Sequence, residues 1–233
     1  MQTLSASLSD KLEAIRQCRY FAGLEGTILQ ELAHGVSLAR FERGEMIFWQ
    51  DDPCQGLYII HQGSVKLFKL SPQGREFIVT ILFEGETFNE VPVFDEGTNP
   101  VNAAALEDSL IWVIKPGIIR QAMVKYPAMC KMVILNLSKN LRKLVGIIEE
   151  LSFYQVTHRL ARLLRQAPQE QLSGEAPNRL TQEQMAARLG TVREVVARSL
   201  KELERSGAIK VSRRQIEILD AAILRQWAQD TAE

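Results

Sequence analysis

The stretch LTQEQMAARLGTVREVVARSLKEL at 180–203 constrains the fold more than any other part of this chain. It predicts two short helices joined by a tight turn at Gly190. Ala186 is small enough to let the two helices approach closely. Gly190 accepts the left-handed backbone that such a turn needs. Val196 offers a β-branched side chain to pack the second helix onto the first. Thr181 and Thr191 each stand at a helix start, with Gln184 and Glu194 three residues further on, the spacing of a capping box. The segment is therefore expected to be a helix-turn-helix.

The exposed side of the second helix carries Arg193, Glu194, Arg198 and Lys201. Arginine pairs bidentately with guanine in the major groove, and glutamate accepts from cytosine. The implied partner is double-stranded DNA, with this second helix in the groove. The competing reading is two packing helices whose charges are merely solvated. In that reading Glu194 is only a cap residue, or pairs with Arg198 one turn away. Position-by-position agreement over some twenty residues favours DNA.

The charge distribution agrees. The chain of 233 residues has a formal net charge of zero, which argues against a generic nucleic-acid coat. Residues 153–233 nevertheless hold 13 basic and 10 acidic residues, and the span from Arg179 to Arg214 holds 9 and 4. The positive charge concentrates around the proposed reading helix, as phosphate contacts require. Cys18, Cys54 and Cys130 are far apart and form no zinc or iron–sulfur spacing, so a reducing compartment with inert thiols is expected. The N-terminus lacks the basic start and apolar core of a signal peptide. No run approaches the ~20 apolar residues of a membrane span. A cytoplasmic protein without a membrane partner is the expectation.

Upstream the texture differs. Leu8, Leu12 and Ile15 mark a short amphipathic helix with Ser9 or Asp10 near its start, and residues 27–34 suggest another. From Ser37 to about Ile114, β-rich runs such as MIFW, LYII, SVKLFKL, FIVTILF and LIWVI alternate with turn clusters. Gly44, Gly56, Gly63, Gly74 and Gly85 punctuate them, and SPQGRE at 71–76 reads as a hairpin turn. Such spacing indicates a sandwich, roll or barrel. Pro116 ends the region, and Pro127 lies near the start of a long helix. Along it Cys130, Ile134, Leu137, Leu141, Leu144, Ile148 and Leu151 form a heptad seam. Met129, Met132, Val133 and Val145 lie off the seam and are expected to pack the helix on its own β domain. One face thus serves the roll, the other a second copy in a parallel homodimer, because a two-fold DNA reader needs a two-fold partner. A helix follows at 156–166, then a polar surface loop at 167–178. After the helix-turn-helix, AIKVSRRQIEIL reads as a two-stranded wing with Arg213 and Arg214 at its turn. A helix at 221–228 closes the chain.

This order resembles the Crp/Fnr family of bacterial transcription regulators over nearly the whole chain. The most specific likenesses are the turn glycines, GETFNEVPVF at 85–94 and TVREVVARSLKELERSGAI at 191–209. The resemblance implies an α+β fold. A double-stranded β-roll, a jelly roll like a cyclic-nucleotide-binding domain, spans 1–125 with the N-terminal helices. The dimerisation helix spans 126–152, and the winged helix-turn-helix 153–233. It implies Arg193 and Arg198 as guanine readers and Glu194 as cytosine reader. Lys201, Thr181, Thr191 and Arg213 join them at the DNA. Ile134, Leu137, Leu141, Leu144, Ile148 and Leu151 form the dimer interface. Half-sites resembling TGTGA and recruitment of RNA polymerase, as an activator, are implied too.

The effector pocket departs from the family's nucleotide binders. Those resemble one another in a Gly-Glu pair and, nine residues later, Arg-Ser, which grip ribose and phosphate. Here Asn89-Glu90 and Pro100-Val101 stand in those places, and Leu144 and Val145 replace polar residues that meet the base. Glu90 remains able to bond a ribose hydroxyl, but nothing in this segment supplies a cation for the phosphate, and burying an unpaired charge is costly. Cyclic AMP is therefore not the expected effector. Haem, a small metabolite or no effector at all remain open. A haem needs an axial ligand. Val91 lies near the place where carbon-monoxide sensors of the family carry histidine, and His34, His61 and His158 are isolated. One N-terminal cysteine excludes the family's iron–sulfur cluster. The alternatives to a DNA-binding regulator are a ligand-sensing module with protein–protein output and a true cyclic-nucleotide-responsive regulator. An enzyme is not expected, since no P-loop, nucleophile elbow, metal cluster or dinucleotide fingerprint occurs and Glu84, Glu86 and Glu90 read as turn and surface residues.

Overall fold

The computed structural model describes residues 2–21, 24, 26–168, 171–172, 180–212 and 215–228. The chain divides into two compact units: residues 1–69 with 79–142, and residues 70–78 with 143–233.

The first unit begins with strand β1 (Gln2–Leu4) and helices α1 (Leu8–Gln17) and α2 (Thr27–Ala33). The α1 cap is Ser7, not Ser9 or Asp10; Asp10 instead completes the capping box from the third helical position. Eight further strands follow: β2 (Val36–Phe41), β3 (Met46–Phe48), β4 (Leu57–Gln62), β5 (Val65–Leu70), β6 (Glu76–Leu82), β7 (Thr87–Phe88), β8 (Asn102–Ala105) and β9 (Ser109–Ile114). Helix α3 (Glu90–Asp95) interrupts them. They form two antiparallel sheets, ordered β1-β2-β9-β4-β7 and β3-β8-β5-β6. This is the expected β-roll. One apolar cluster fills it, where Tyr58 and Phe88 stack at 4.9 Å and Phe48 packs beside both. A second joins α1 and α2 to the outer face of the roll through Ile15, Tyr20, Leu32 and Trp112.

Gly63 sits between β4 and β5 at φ +94°, and an added Cβ would collide with the Ser109 hydroxyl. That turn needs glycine for its backbone and for its space. Pro116 ends the strands as expected, but it also opens a helix the sequence reading lacked, α4 (Pro116–Lys125). Proline suits a first helical position because its missing N–H has no acceptor there.

Helix α5 runs without interruption from Pro127 to Phe153. Met129 and Val133 are buried on the roll, as expected, and Met132 is half-buried. Val145 is not packed there: it is 56% exposed. The roll-facing stripe instead continues through Asn136, a buried polar residue. Of the heptad seam, Cys130 and Leu137 are half-buried, while Ile134, Leu141, Leu144, Ile148 and Leu151 are exposed.

In the second unit α6 (Val156–Gln166), α7 (Gln182–Leu189), α8 (Arg193–Arg205) and α9 (Ala221–Ala228) enclose one apolar core with strands β10 (Ile209–Val211) and β11 (Ile216–Ile218). Most of the loop expected at 167–178 lies outside the described residues. Gln171 and Leu172 within it are helical, and Leu172 is buried because it joins this core. β10 and β11 pair antiparallel, as a wing should; Arg213 and Arg214 lie outside the described residues.

Replacing Gly63 by Ala should lower the unfolding free energy by about 1–3 kcal/mol through strain at a positive φ. Urea denaturation of the full chain checks this; an unchanged midpoint would show that the turn relaxes freely.

Candidate functional site

The helix-turn-helix is assembled from local rules. Thr181 accepts the Gln184 backbone N–H at 3.2 Å, and Gln184 accepts the Thr181 N–H at 2.9 Å, so the capping box expected for α7 forms. Gly190 takes φ 61°, ψ 40°, the left-handed C-cap. Ala186 is buried, and Val196 is wholly buried against the α7 side. The second expected cap does not form. Val192 occupies the cap position of α8 and provides no side-chain bond, because the helix begins one residue later than Thr191 requires. Glu194 instead lies in the first turn, where a carboxylate meets the positive end of the helix dipole.

Arg193, Glu194, Arg198 and Lys201 are all exposed on α8, while Val196, Ser199, Leu200 and Leu203 form its buried side. The helix thus separates its charges from its core contacts. Three further groups position it, and none was singled out from the sequence. The hydroxyls of Thr157 on α6 and Ser199 on α8 are buried 3.0 Å apart, and Thr157 donates to Glu202 at 2.8 Å. Arg159 donates to the Leu189 carbonyl at 2.7 Å, satisfying the C-terminal end of α7. Trp227 on α9 donates to Ser206 at 3.0 Å, just after α8. Two polar residues one turn apart, or an arginine before a helix end, carry no signature that separates such roles from solvated ones.

The suspected effector residues divide between the units: Asn89, Glu90, Pro100 and Val101 belong to the first, Leu144 and Val145 to the second. Asn89 adopts φ 66°, ψ 27°. The left-handed region favours glycine and tolerates asparagine, which explains the exchange at this place. Its amide donates to the Gly56 carbonyl at 3.1 Å. Pro100 is exposed, Val101 half-buried, and Leu144 and Val145 exposed.

Glu90 is no surface residue: only 9% of it is exposed. Its Oε1 accepts from the Tyr20 hydroxyl at 2.9 Å, from Arg19 at 3.3 Å and from Asn140 on α5 at 2.5 Å. Burial, reinforced by this carboxylate, holds the Tyr20 phenol above its ordinary pKa, so it stays a donor at any working pH. Asn136, one turn before Asn140, donates to the Arg19 carbonyl at 3.2 Å. A carboxylate that the sequence offers to a ribose is thus engaged by the N-terminal segment and the long helix. Arg19 supplies the cation beside Glu90, from 71 residues away in the chain. No local pattern announces that pairing.

His34 and His61 are exposed, and no cluster of three or more His, Cys, Asp or Glu suited to a metal occurs among the described residues. The Cys18 thiol is buried and pushed up to about 12 by that burial, which leaves it inert. No helix is long and apolar enough to cross a membrane among the described residues.

Comparison with known proteins adds the following. Residues 38–126 match the cyclic nucleotide-binding domain model, and residues 158–227 the Crp-like helix-turn-helix domain model. The chain is 30% identical over 203 residues to the cyclic AMP receptor protein of Thermus thermophilus, covering 83% of this chain and 91% of that one. It is 27% identical to the CRP-like cAMP-activated global transcriptional regulator of Mycobacterium tuberculosis, over 93% of this chain and 99% of that one. A crystal structure of a putative crp/fnr-family transcriptional regulator from Eubacterium rectale shares the fold, with a TM-score of 0.75 at 21% identity over 91% of this chain and 99% of that one.

Replacing Glu90 by Ala should strand the buried Tyr20 hydroxyl and cost about 1–3 kcal/mol of stability, with Glu90→Gln costing less because it keeps an acceptor. Urea unfolding followed by intrinsic fluorescence measures both; equal, negligible losses would mean that water replaces the carboxylate.

Proposed function

The chain belongs to the Crp/Fnr family of bacterial transcription regulators, and from that premise we propose a homodimer that reads a TGTGA-like palindrome and answers to no cyclic nucleotide. It is a regulator with a DNA-binding helix-turn-helix, not an enzyme. The observation that carries the proposal is the sorting of α8, whose Arg193, Glu194, Arg198 and Lys201 are exposed together opposite a buried side. In such a motif the first helix crosses the phosphate backbone and the second enters the major groove. Arg193 and Arg198 then pair with guanines, Glu194 accepts from cytosine, and Lys201 meets phosphate. Thr181, Thr191 and the wing arginine Arg213 add backbone contacts. Recruitment of RNA polymerase, and hence activation, completes this reading.

The dimer is supported by the exposed seam. Ile134 is 62% exposed, Leu141 62% and Ile148 63%, on the side of α5 away from its roll contacts. Isolated apolar side chains are ordinary on a surface, but a continuous heptad stripe calls for a partner. A second copy places two reading helices one turn of DNA apart, about 34 Å.

Indifference to cyclic AMP is supported by Glu90, whose carboxylate already takes three donors. All three meet Oε1, so a ribose hydroxyl would compete with them for the carboxylate or be confined to Oε2. Pro100 is exposed where the nucleotide binders hold the phosphate with arginine. The signal is therefore another small molecule, haem included, or none.

A salt-dependent mobility shift on a TGTGA palindrome, run with and without cyclic AMP, tests the whole reading. Binding should weaken steeply with salt and be unchanged by the nucleotide. Arg198→Ala should cost about 1–3 kcal/mol of discrimination at one base pair per half-site, and Lys201→Ala should weaken all sequences evenly. A uniform loss from Arg198→Ala would overturn its reading role, and tighter binding with cyclic AMP would overturn the effector assignment. Leu141→Asp should yield a monomer in sedimentation, since it puts an unpaired charge in the seam at a cost of several kcal/mol. A variant that stays dimeric at micromolar concentration would place the interface elsewhere.

A further inference from the structure

Arg193 begins α8, yet its side chain turns back across the Gly190 turn to the first turn of α7. Its Nη1 lies 3.2 Å from Glu183 Oε1, and its Nε donates to Gln182 Oε1 at 3.4 Å. Nη2 takes no partner among the described residues. The guanidinium is therefore held at two of its nitrogens by consecutive residues of the helix that meets the DNA backbone in this motif.

We infer that Glu183, assisted by Gln182, is a specificity-determining positioning residue: it holds the Arg193 guanidinium ready for one base pair and keeps it off the phosphates. The inference rests on the DNA-reading function proposed above. An arginine left free on an exposed helix start has many rotamers and a strong attraction to phosphate anywhere on a duplex. The Glu183 carboxylate opposes both. It fixes the fork before binding, so less freedom is lost when the base contact forms. Its negative charge also faces the polyanion, which weakens binding to every sequence alike. Correct and incorrect DNA are thereby separated from both sides, by favouring one contact and penalising the rest. Glu183 also suits the positive end of the α7 dipole, and that role alone would bear on stability and not on base preference.

The test uses the full-length chain and a panel of single-base operator variants at several salt concentrations. Both side chains are more than 60% exposed, so Glu183→Gln leaves the core untouched. It should reduce discrimination at the single base pair read by Arg193 about two- to fivefold, the range of an exposed ion pair. It should also tighten binding to unrelated DNA and steepen the salt dependence by up to about one phosphate contact. In an Arg193→Ala background the same substitution should leave discrimination unchanged. An unaltered base profile, a loss spread evenly over all base pairs, or an equal effect without Arg193 would each overturn the role of Glu183. A wild-type protein with no preference for the operator would overturn the DNA-reading function, and this inference with it.

Discussion

A helix of 27 residues with apolar side chains on two sides has more surface to bury than one unit covers. That constraint organises the molecule. One stripe, Met129, Val133 and then Asn136 and Asn140, is consumed by the roll and the N-terminal segment. Of the other, Leu137 is half-buried against the roll's own apolar cluster, while Ile134, Leu141, Leu144, Ile148 and Leu151 stay exposed. The two stripes differ in chemistry as well as place. The inward one ends in two asparagines whose amides are committed to Arg19 and Glu90, which fixes the rotation of the helix about its axis. The outward stripe is purely aliphatic and suits a repeating contact between identical helices.

Legibility in the sequence followed the range of the interactions. The bounds of helix α6 at 156 and 166 and the turn at Gly190 are legible in the sequence, because spacing and conformational preference act over a few positions. Strand β8, NAAA, escaped notice: alanine carries no strand preference, and the segment is a strand only because β3 and β5 pair with it on both sides. Helix α4 is not legible locally because a proline such as Pro116 suits the end of a strand and the start of a helix alike. The second capping box failed on a shift of one residue, enough to move Thr191 out of reach.

The candidate site was legible in part for the same reason. A reading helix is a local object, and its four exposed charged residues were found from their spacing. What surrounds it is not local. The Thr157–Ser199 contact spans 42 residues and the Arg19–Glu90 pair 71. Glu90 drew attention only through a family position, which offered it to a ligand. Its actual partners come from the chain itself. Charge follows a similar economy on α7 and α8, where a glutamate that looks like an ordinary helix-start residue occupies an arginine's attention.

The Glu90 contacts also dictate an order of assembly. A ribosome delivers Arg19 and Tyr20 before Glu90, and Asn140 after both. The contacts of Arg19 and Tyr20 with Glu90 thus gain their Asn140 partner only after about half of the long helix has emerged. Residues 156–228, by contrast, meet partners made close behind them and can close on their own core at once. During synthesis the helix-turn-helix therefore closes on segments of its own core, while the roll stays unlatched until its helix arrives.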